Sequence, residues 1–496
     1  MSALHDPSPL SPTHVDVLIV GAGISGIGAG YHLGKQCPER SFVILEAKES
    51  FGGTWVTDKY PGARSDSDLY TFGYRFKPWT GAPIATADEI RTYMSEVIEE
   101  NNLGHSIRYH HNITNAEWSS TDDLWTVFAT DTAHDSQHTF TCNFLWMCQG
   151  YYRHTEGYTP QWPGVASFGG RIVHPQTWPD DLDLTDKQVV VIGSGATAAT
   201  LVPAIADTCK HVTMLQRSPT YFRAARNAND LADQLREIEI DESWIHEIVR
   251  RKLLLDGNNM TKLVLQFPEE AKAELLKGVQ ELLPDGYDMK HFTPKYDPWR
   301  QRLAFVPDGD LFAGIRSGKA DVVTDEIETF TETGIRTASG QDLPADAVIT
   351  ATGFNMSILG DIAFVIDGVP LDLAKTVTYR GMMFTGVPNL LWVFGYFRAS
   401  WTLRADLIGD FTCRLLRHMD QKGVHRVTPQ LRAEDGDMKL LSWVDPEDFN
   451  PNYLTRSMHL LPQRGDKPEW QHTQDYWAEK DALPKVDLDD GCLVYE

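Results

Sequence analysis

Residues 15 to 26 read Val-Asp-Val-Leu-Ile-Val-Gly-Ala-Gly-Ile-Ser-Gly, and this stretch decides the fold. The apolar run is typical of a parallel strand buried on both faces, and the GxGxxG that follows is typical of a turn into a crossover helix. Glycines are needed there because the turn is tight, a pyrophosphate approaches the backbone, and the helix packs closely on the strand. The apolar run at Val43 to Leu45 is expected to be the neighbouring strand.

An acidic residue, Glu46, stands at the end of that neighbouring strand. A carboxylate there accepts hydrogen bonds from a ribose 2′-hydroxyl and repels a 2′-phosphate, so this site is predicted to hold FAD or NAD and not NADP. The glycine pair Gly52-Gly53 follows, and FAD-type folds use such a pair to run backbone along the extended flavin. The site is therefore predicted to bind FAD, with contacts at Gly21, Gly23, Ser25, Gly26, Glu46, Gly53, Thr54 and Trp55.

A second unit of the same kind begins with the apolar run Gln188 to Ile192. It continues into a GxGxxA, and a helix N-terminus again faces a pyrophosphate. The next strand ends in Gln216-Arg217-Ser218 in place of an acidic residue, and an arginine can fork onto a 2′-phosphate. The second site is therefore predicted to bind NADPH, through Gly193, Ser194, Gly195, Ala196, Thr197, Ala198, Arg217 and Ser218.

At 496 residues the chain is too long for one hydrophobic core. Two nucleotide units predict an α/β fold with two Rossmann-like dinucleotide-binding domains and a helical insertion. Helical periodicity in residues 230–255 and 268–283 marks the insertion. The predicted limits are 1–155 and 353–496 for the FAD domain, 156–218 and 302–352 for the NADPH domain, and 219–301 for the insertion.

Composition excludes several classes of protein. The formal net charge of -24 makes nucleic acid an improbable partner. The six cysteines form no CxxC or CxxxxC pair, which argues against a metal site, a redox-active disulfide and a secreted disulfide framework. The sequence has no recognisable signal peptide or membrane-spanning segment, so a cytoplasmic protein is expected. Oligomeric state stays open.

The connection between the two units, Phe168 to Pro179, matches the pattern FxGxxxHxxxWP without a departure. With this motif the chain resembles the Type I Baeyer-Villiger monooxygenases. It looks closest to the ethionamide-activating monooxygenase subgroup, through the stretches Gly52–Trp55, Tyr60–Asp68, Ser400–Leu403 and Asp406-Leu407. The likeness runs from about Val15 to about Trp477.

The resemblance implies roles for three residues outside the glycine turns. Asp66 is expected near the flavin ring, where it orients the catalytic arginine, and Arg302 aligns with that arginine. His174 is expected to act indirectly, by communication between the domains. Many family members have a lysine where Gln301 stands, so the NADPH preference rests on Arg217 and Ser218. Further FAD contacts are expected at Arg64, Ser65, Asp66 and Ile113.

The resemblance also implies a reaction. NADPH reduces FAD, O2 adds to give a C4a-peroxyflavin, and this species converts a ketone to an ester or lactone, with a sulfide as an alternative substrate. Three rival functions stay open: an oxygenase of sulfur or nitrogen atoms, a disulfide reductase, and a nucleotide-sensing protein without turnover. Missing cysteine pairs speak against the reductase. Some aromatic side chains could line a substrate pocket or lie in the core, namely Tyr70, Phe72, Phe397 and Trp401.

Overall fold

The computed structural model describes residues 12–496. Most of the N-terminal stretch judged to lack a signal peptide therefore lies outside the described residues. Among the helices of the described chain, none has the length and apolar character needed to cross a bilayer.

The N-terminal part of the described chain alternates strands and helices. The strands are β1 (Thr13–Val20), β2 (Phe42–Leu45), β3 (Ile107–Arg108), β4 (His111–Ser119), β5 (Leu124–Asp131), β6 (Ser136–Met147) and β7 (Tyr152–Gly157). The helices are α1 (Ile24–Gln36), α2 (Thr54–Thr57), α3 (Leu69–Phe72) and α4 (Ala87–Glu100).

The middle part contains a second set of parallel strands and the long helices of the insertion. The strands are β8 (Arg171–Val173), β9 (Gln188–Ile192), β10 (His211–Gln216), β11 (Phe222–Ala225), β12 (Ala304–Pro307), β13 (Ala320–Thr324), β14 (Ile327–Thr331), β15 (Gly334–Thr337), β16 (Asp342–Pro344) and β17 (Ala347–Thr350). The helices are α5 (Ala196–Ala206), α6 (Asp230–Glu237), α7 (Glu242–Gln266), α8 (Pro268–Gln280) and α9 (Asp310–Arg316).

The C-terminal part returns to the first sheet. Its strands are β18 (Phe354–Met356), β19 (Ala363–Ile366), β20 (Val369–Pro370), β21 (Thr378–Tyr379), β22 (Met383–Phe384), β23 (Leu390–Trp392), β24 (Val427–Pro429), β25 (Leu441–Ser442), β26 (Gln463–Arg464) and β27 (Leu493–Tyr495). Its helices are α10 (Trp401–Lys422), α11 (Asn452–Ser457) and α12 (Tyr476–Ala482).

Two large sheets organise the molecule. The first is nine-stranded in the order β20-β19-β4-β5-β6-β1-β2-β3, with β23 paired to β6. Its strands β1, β2, β3, β6 and β23 run parallel, and β4 and β5 extend it as an antiparallel hairpin. The second sheet is five-stranded and parallel, in the order β13-β10-β9-β17-β8. The predicted α/β class with Rossmann-type sheets is confirmed, and the domain limits stay a prediction.

The helical insertion differs from the prediction in one place. Residues 230–255 do not form one helix, because α6 ends at Glu237 and α7 begins at Glu242. Asp241 caps α7 by accepting from the backbone amide of Ser243, and Glu239 between the helices has a φ of 56°. A left-handed residue follows the first helix and a capping aspartate begins the second, where periodicity alone predicted continuity.

The chain crosses between the two sheets twice, and the crossings pair with each other. The outward crossing is β7 and the return is β18, which form a two-stranded antiparallel ribbon. Phe354 lies opposite Gly157, and Met356 lies opposite Tyr152. Both passages between the sheets are therefore paired, with an irregularity in the ladder between Phe354 and Met356.

The four aromatic residues left open between pocket and core lie in the protein interior. Tyr70, Phe72 and Phe397 are buried in apolar clusters, and Trp401 packs partly buried against the same clusters. Their burial supports the interpretation of these four residues as core residues rather than as pocket-lining residues.

We predict that Gly26→Ala destabilises the protein and abolishes retention of the predicted flavin. A Cβ at Gly26 would stand 1.9 Å from the Gly21 carbonyl oxygen, and neither backbone can move without opening the β1–α1 turn. The measurement is the melting temperature and the bound-chromophore absorbance of purified protein.

Gly34→Ala is the matched control on the same helix. Nothing lies within 4 Å of a Cβ at Gly34, so the substitution should raise helix stability by about 1 kcal/mol or less. Equal melting temperatures for the two variants would contradict the close-packing account of the turn.

Candidate active site

The first glycine turn connects β1 to α1 and is built for close approach. Gly21 has a φ of +95°, in the region that side chains disfavour, and α1 begins at Ile24 directly after the turn. The Glu46 carboxylate accepts the Ala22 amide at 2.8 Å and the Lys48 amide at 3.0 Å, so it is fixed beside the turn. Burial raises the pKa of Glu46, and these amides oppose that rise.

The glycine pair at 52 and 53 packs directly onto this turn. The Gly52 amide donates to the Ala22 carbonyl at 3.0 Å, and a Cβ on Gly53 would stand 3.1 Å from the Gly23 Cα. Gly53 itself has a φ of +57°. Two glycine-rich backbone segments therefore meet at the carboxyl end of β1, which fits a long, anionic dinucleotide.

The second glycine turn repeats this construction between β9 and α5. Gly193 has a φ of +132°, and a Cβ there would stand 2.2 Å from the Ala351 carbonyl oxygen. Gly195 has open space on its Cβ side, and α5 begins at Ala196. Thr197 and Ala198 continue the first turn of the helix, which leaves its amides facing outward.

The residues expected to select NADPH over NADH lie beside the second glycine turn. Arg217 and Ser218 follow the end of β10 and are both exposed. The Ser194 hydroxyl donates to the Ser218 carbonyl at 3.0 Å, which ties this segment to the glycine turn. The segment that carries Arg217 therefore lies beside the second glycine turn.

A cleft of about 330 Å³ lies between the segment that follows Gly52-Gly53 and the second glycine turn. It collects residues from both glycine-rich units, among them Thr54, Trp55, Arg64, Ser65, Asp66, Gly195, Ala196, Thr197 and Arg302. The structure thus brings Asp66 and Arg302, far apart in sequence, into one site. The Arg302 Nη1 lies 3.6 Å from the Asp66 Oδ2, and the two side chains are 38% and 35% exposed.

Three tyrosines lie near this ion pair, and no pattern in the sequence pointed to them. Tyr151, Tyr152 and Tyr453 line the same cleft, and the Tyr151 hydroxyl donates to the Tyr152 hydroxyl at 2.9 Å. Burial disfavours the charge on Arg302, but Tyr151, Tyr453 and Asp66 favour it, and its pKa lies well above the usual value. Arg302 therefore stays a cation at every working pH.

The guanidinium of Arg302 retains an unused donor. Its Nε is buried without a hydrogen-bond partner among residues 12–496. A buried N–H of this kind costs free energy unless a ligand or water accepts from it. The donor set of the cleft therefore fits an anionic or carbonyl oxygen beside Arg302.

His174 lies outside this cleft, at the junction of the two crossings. Its Nε2 is 3.1 Å from the Gly353 carbonyl oxygen, and its Nδ1 accepts the Gln176 amide at 3.2 Å. A Cβ on Gly157 would stand 1.9 Å from the imidazole, so the ring packs on bare backbone. Burial lowers the pKa of His174, although the hydrogen bond to Gly353 opposes this change. The lowered pKa favours the neutral ring.

Other residues predicted to contact FAD have protein partners of their own. Arg64 forms a bidentate ion pair with Asp310 at 2.6 and 3.3 Å. The Ser65 hydroxyl donates to the Ser67 carbonyl, and the buried Ser25 hydroxyl accepts from the Trp401 indole at 2.8 Å. Ile113 is buried in the strand β4. FAD contacts at these positions stay a prediction.

Comparison with known proteins decides the family. A family model described as pyridine nucleotide-disulphide oxidoreductase matches residues 15–243. The chain is 45% identical over 485 residues to the FAD-containing monooxygenase EthA of Mycobacterium tuberculosis, covering 97% of this chain and 98% of the relative. The chain belongs to the FAD-containing monooxygenases.

Other relatives agree with this assignment. The enzyme is 43% identical over 485 residues to the probable FAD-binding monooxygenase AlmA of Acinetobacter baylyi, covering 97% of this chain and 96% of the relative. An oxidized steroid monooxygenase bound to NADP matches with a TM-score of 0.74 at 22% identity, covering 97% and 99% of the two chains. A cyclohexanone monooxygenase bound to epsilon-caprolactone matches with a TM-score of 0.75 at 19% identity, covering 98% of this chain and 100% of that structure.

These findings confirm the predicted class of enzyme and the resemblance that the sequence motifs indicated. The two solved structures are too distant in sequence to establish more than the fold. The disulfide reductase alternative is wrong, because the relatives that span the whole chain are monooxygenases and all six cysteines are free and buried.

Asp58, a further titratable residue that lines the cleft, makes the stability of the fold depend on pH. Burial raises the pKa of Asp58 from its usual 3.8 to about 7, with Lys48 opposing the rise. The folded protein therefore binds this proton more tightly than the unfolded chain. The stabilisation is complete below pH 4 and is lost as the pH rises through 7.

We predict that Asp58→Asn raises the melting temperature of the enzyme by a few degrees at pH 8 and has little effect at pH 5. The amide carries no charge to be buried, so the difference from the parent grows with pH. Thermal unfolding at both pH values measures it. Asp285→Asn alters an exposed residue of the insertion and is the control; a pH-independent difference for Asp58→Asn would refute the burial argument.

Proposed function

We propose that this monooxygenase oxidises ketones to esters or lactones by a Baeyer-Villiger reaction, and sulfides to sulfoxides, with NADPH and O2 as co-substrates. A small organic molecule and O2 are its substrates. The observation that carries the proposal is a permanent cation, Arg302, held beside Asp66 in a cleft lined by residues of both dinucleotide units.

FAD and NADPH are the cofactors, in agreement with the enzyme family and with the two turns. Glu46 suits a free ribose hydroxyl, and the exposed Arg217 suits a 2′-phosphate, so each turn takes a different dinucleotide. When bound, they supply the activation of O2 and the reducing electrons, which no protein side chain provides. The chain supplies position, charge and exclusion of water.

Arg302 is the residue that we assign to charge stabilisation. Attack of an oxygen nucleophile on a ketone turns the carbonyl oxygen into an oxyanion, and a fixed guanidinium stabilises negative charge without reorganising. Its buried Nε and its forked Nη atoms offer donors in that direction. Asp66, 3.6 Å away, holds the guanidinium in place and is a positioning residue.

The tyrosines complete the wall of the site. Burial raises the pKa of both Tyr152 and Tyr453, so each keeps its hydroxyl proton. Neutral hydroxyls donate to an oxygen substrate, and the three rings exclude water from the cleft. His154, whose pKa burial lowers to about 4, adds a neutral imidazole to the same wall.

His174 is proposed to act between the domains and not on substrate. Its imidazole joins Gly353 on the return crossing to the bare backbone of Gly157 on the outward crossing. The cytoplasm stays the proposed compartment, supported by six buried free thiols of a kind that reducing surroundings preserve.

The function is tested by product identification with phenylacetone and thioanisole. NADPH-dependent formation of benzyl acetate supports ketone oxygenation, and methyl phenyl sulfoxide supports sulfur oxygenation. NADPH oxidation that yields only hydrogen peroxide with both compounds would contradict the proposal. Sulfoxide without ester would favour the heteroatom oxygenase.

We predict that Arg302→Ala retains FAD and NADPH but loses ester formation by on the order of a hundredfold or more, because a preorganised charge is removed. The measurement is the amount of ester formed in reactions stopped at fixed times, together with the flavin content of the purified variant. Arg251→Ala removes an exposed arginine on α7 and should keep the parental rate. Parental ester formation by Arg302→Ala would remove the assigned role.

We predict that Arg217→Ala raises the KM for NADPH roughly tenfold or more and leaves the KM for NADH nearly unchanged, because a charged hydrogen bond to phosphate is lost. Steady-state kinetics with each coenzyme measures both values. Arg226→Ala, which breaks an exposed ion pair with Asp230, is the control. An equal rise for both coenzymes would show that Arg217 does not read the 2′-phosphate.

A further inference from the structure

Three side chains with metal-binding atoms meet on one face of the nine-stranded sheet, on strands that do not line the cleft. They are His111 at the start of β4, Asp131 at the end of β5, and His138 in β6, and we refer to them as the His/Asp cluster. One ligand atom from each lies within 4.8 Å of the others. No step of the proposed reaction uses these residues.

Strand register places the three side chains together. His111 pairs directly with Asp131 across β4 and β5, and His138 pairs with Ala129, two residues from Asp131 on the same face of β5. Directly opposed side chains in antiparallel strands are separated by about 5 Å, and diagonal neighbours lie within reach of an imidazole. The cluster is therefore fixed by backbone pairing and not by flexible loops.

The ring of His111 is oriented as it would be in a metal site. Its Nδ1 lies 2.6 Å from the Tyr109 carbonyl oxygen, to which it donates, so the lone pair is left on Nε2. A metal-binding histidine normally donates its other ring N–H to a carbonyl or carboxylate in this way. His138 has one ring nitrogen, Nε2, 3.1 Å from the Ser136 hydroxyl, which likewise engages one side of the ring.

Asp131 is held as an acceptor by the β5–β6 turn. Its side chain is buried, and its Oδ1 accepts the backbone amides of Ala133 and His134 at 2.9 and 3.2 Å. The Oδ2 lies 2.9 Å from the Nδ1 of His134, whose side chain is 78% exposed at the turn. A third imidazole thus stands beside the cluster, on the exposed side of Asp131.

We propose that the His/Asp cluster binds one divalent transition-metal ion, with Zn²⁺ as the best fit. Two imidazoles and a carboxylate suit zinc, whereas Ca²⁺ and Mg²⁺ favour sites made of oxygen atoms alone. His134 or a water molecule completes a tetrahedron. With bonds of about 2.0–2.1 Å, ligand atoms stand about 3.3 Å apart, so the side chains close inward around the ion.

The site joins three strands close to the predicted adenosine end of FAD. The His111 backbone amide donates to the Glu46 carbonyl at 2.9 Å, and the Glu46 carboxylate is the predicted ribose acceptor. A bound ion would therefore clip the β4–β5–β6 hairpins together beside the first dinucleotide turn. Its expected role is structural, and the proposal differs from the sequence-based expectation that the chain has no metal site.

The test uses the full-length, FAD-loaded enzyme without an affinity tag, stripped with a chelator and then freed of it. Calorimetric titration with zinc sulfate in a non-coordinating buffer should give one saturable site. His111→Gln and His138→Gln should each weaken Zn²⁺ binding at least tenfold. His459→Gln, an exposed histidine elsewhere, should bind as the parent does.

X-ray absorption at the zinc edge and thermal unfolding complete the experiment. The spectrum of the zinc-loaded enzyme should show imidazole ligands and no sulfur, and zinc should raise the melting temperature of the parent but not of the two cluster variants. Both variants change partly exposed side chains, so flavin content in chelator should match the parent. Absence of saturable uptake, uptake unchanged in both variants, or a shell of water oxygens alone would overturn the proposal.

Discussion

The paired crossings β7 and β18 connect the two sheets, and the active site depends on the relative position that this connection gives them. The cleft is lined by the segment that follows Gly52-Gly53 and by the second glycine turn, so residues of both nucleotide units face it. If the ribbon between Tyr152–Gly157 and Phe354–Met356 were free to splay, the two dinucleotides would bind but would not meet. His174 reinforces the ribbon, because its ring touches both passages.

Anion binding by so acidic a protein depends on local and not global electrostatics. The chain carries a formal charge of -24, yet each turn ends at a helix N-terminus whose amides face outward. Glycine makes this possible, because Gly21 and Gly193 adopt backbone conformations that side chains disfavour. Single arginines add local positive charge, because Arg217 is exposed after β10 and Arg302 lines the cleft.

The sequence allowed the main strands of the sheets to be predicted, but not the side chains that line the cleft. The strands β1 and β9 are apolar runs followed by glycine turns, so local pattern alone located them. The parallel pairing of Phe222 with Ala304 joins segments distant in sequence, and no local pattern announces such a pair. Tyr151 and Tyr453 were missed for the same reason, since an isolated tyrosine has no spacing that separates a site residue from a core residue.

The ion pair between Arg64 and Asp310 gives the cleft a mechanical property. Arg64 precedes Asp66 by two residues on the flavin side, whereas Asp310 begins α9, which packs against the helix of the second turn. A shift of the nicotinamide-side sheet would therefore pull on the loop that carries the carboxylate facing Arg302. The Arg64–Asp310 ion pair thus connects the position of α9 to the position of the carboxylate that faces Arg302.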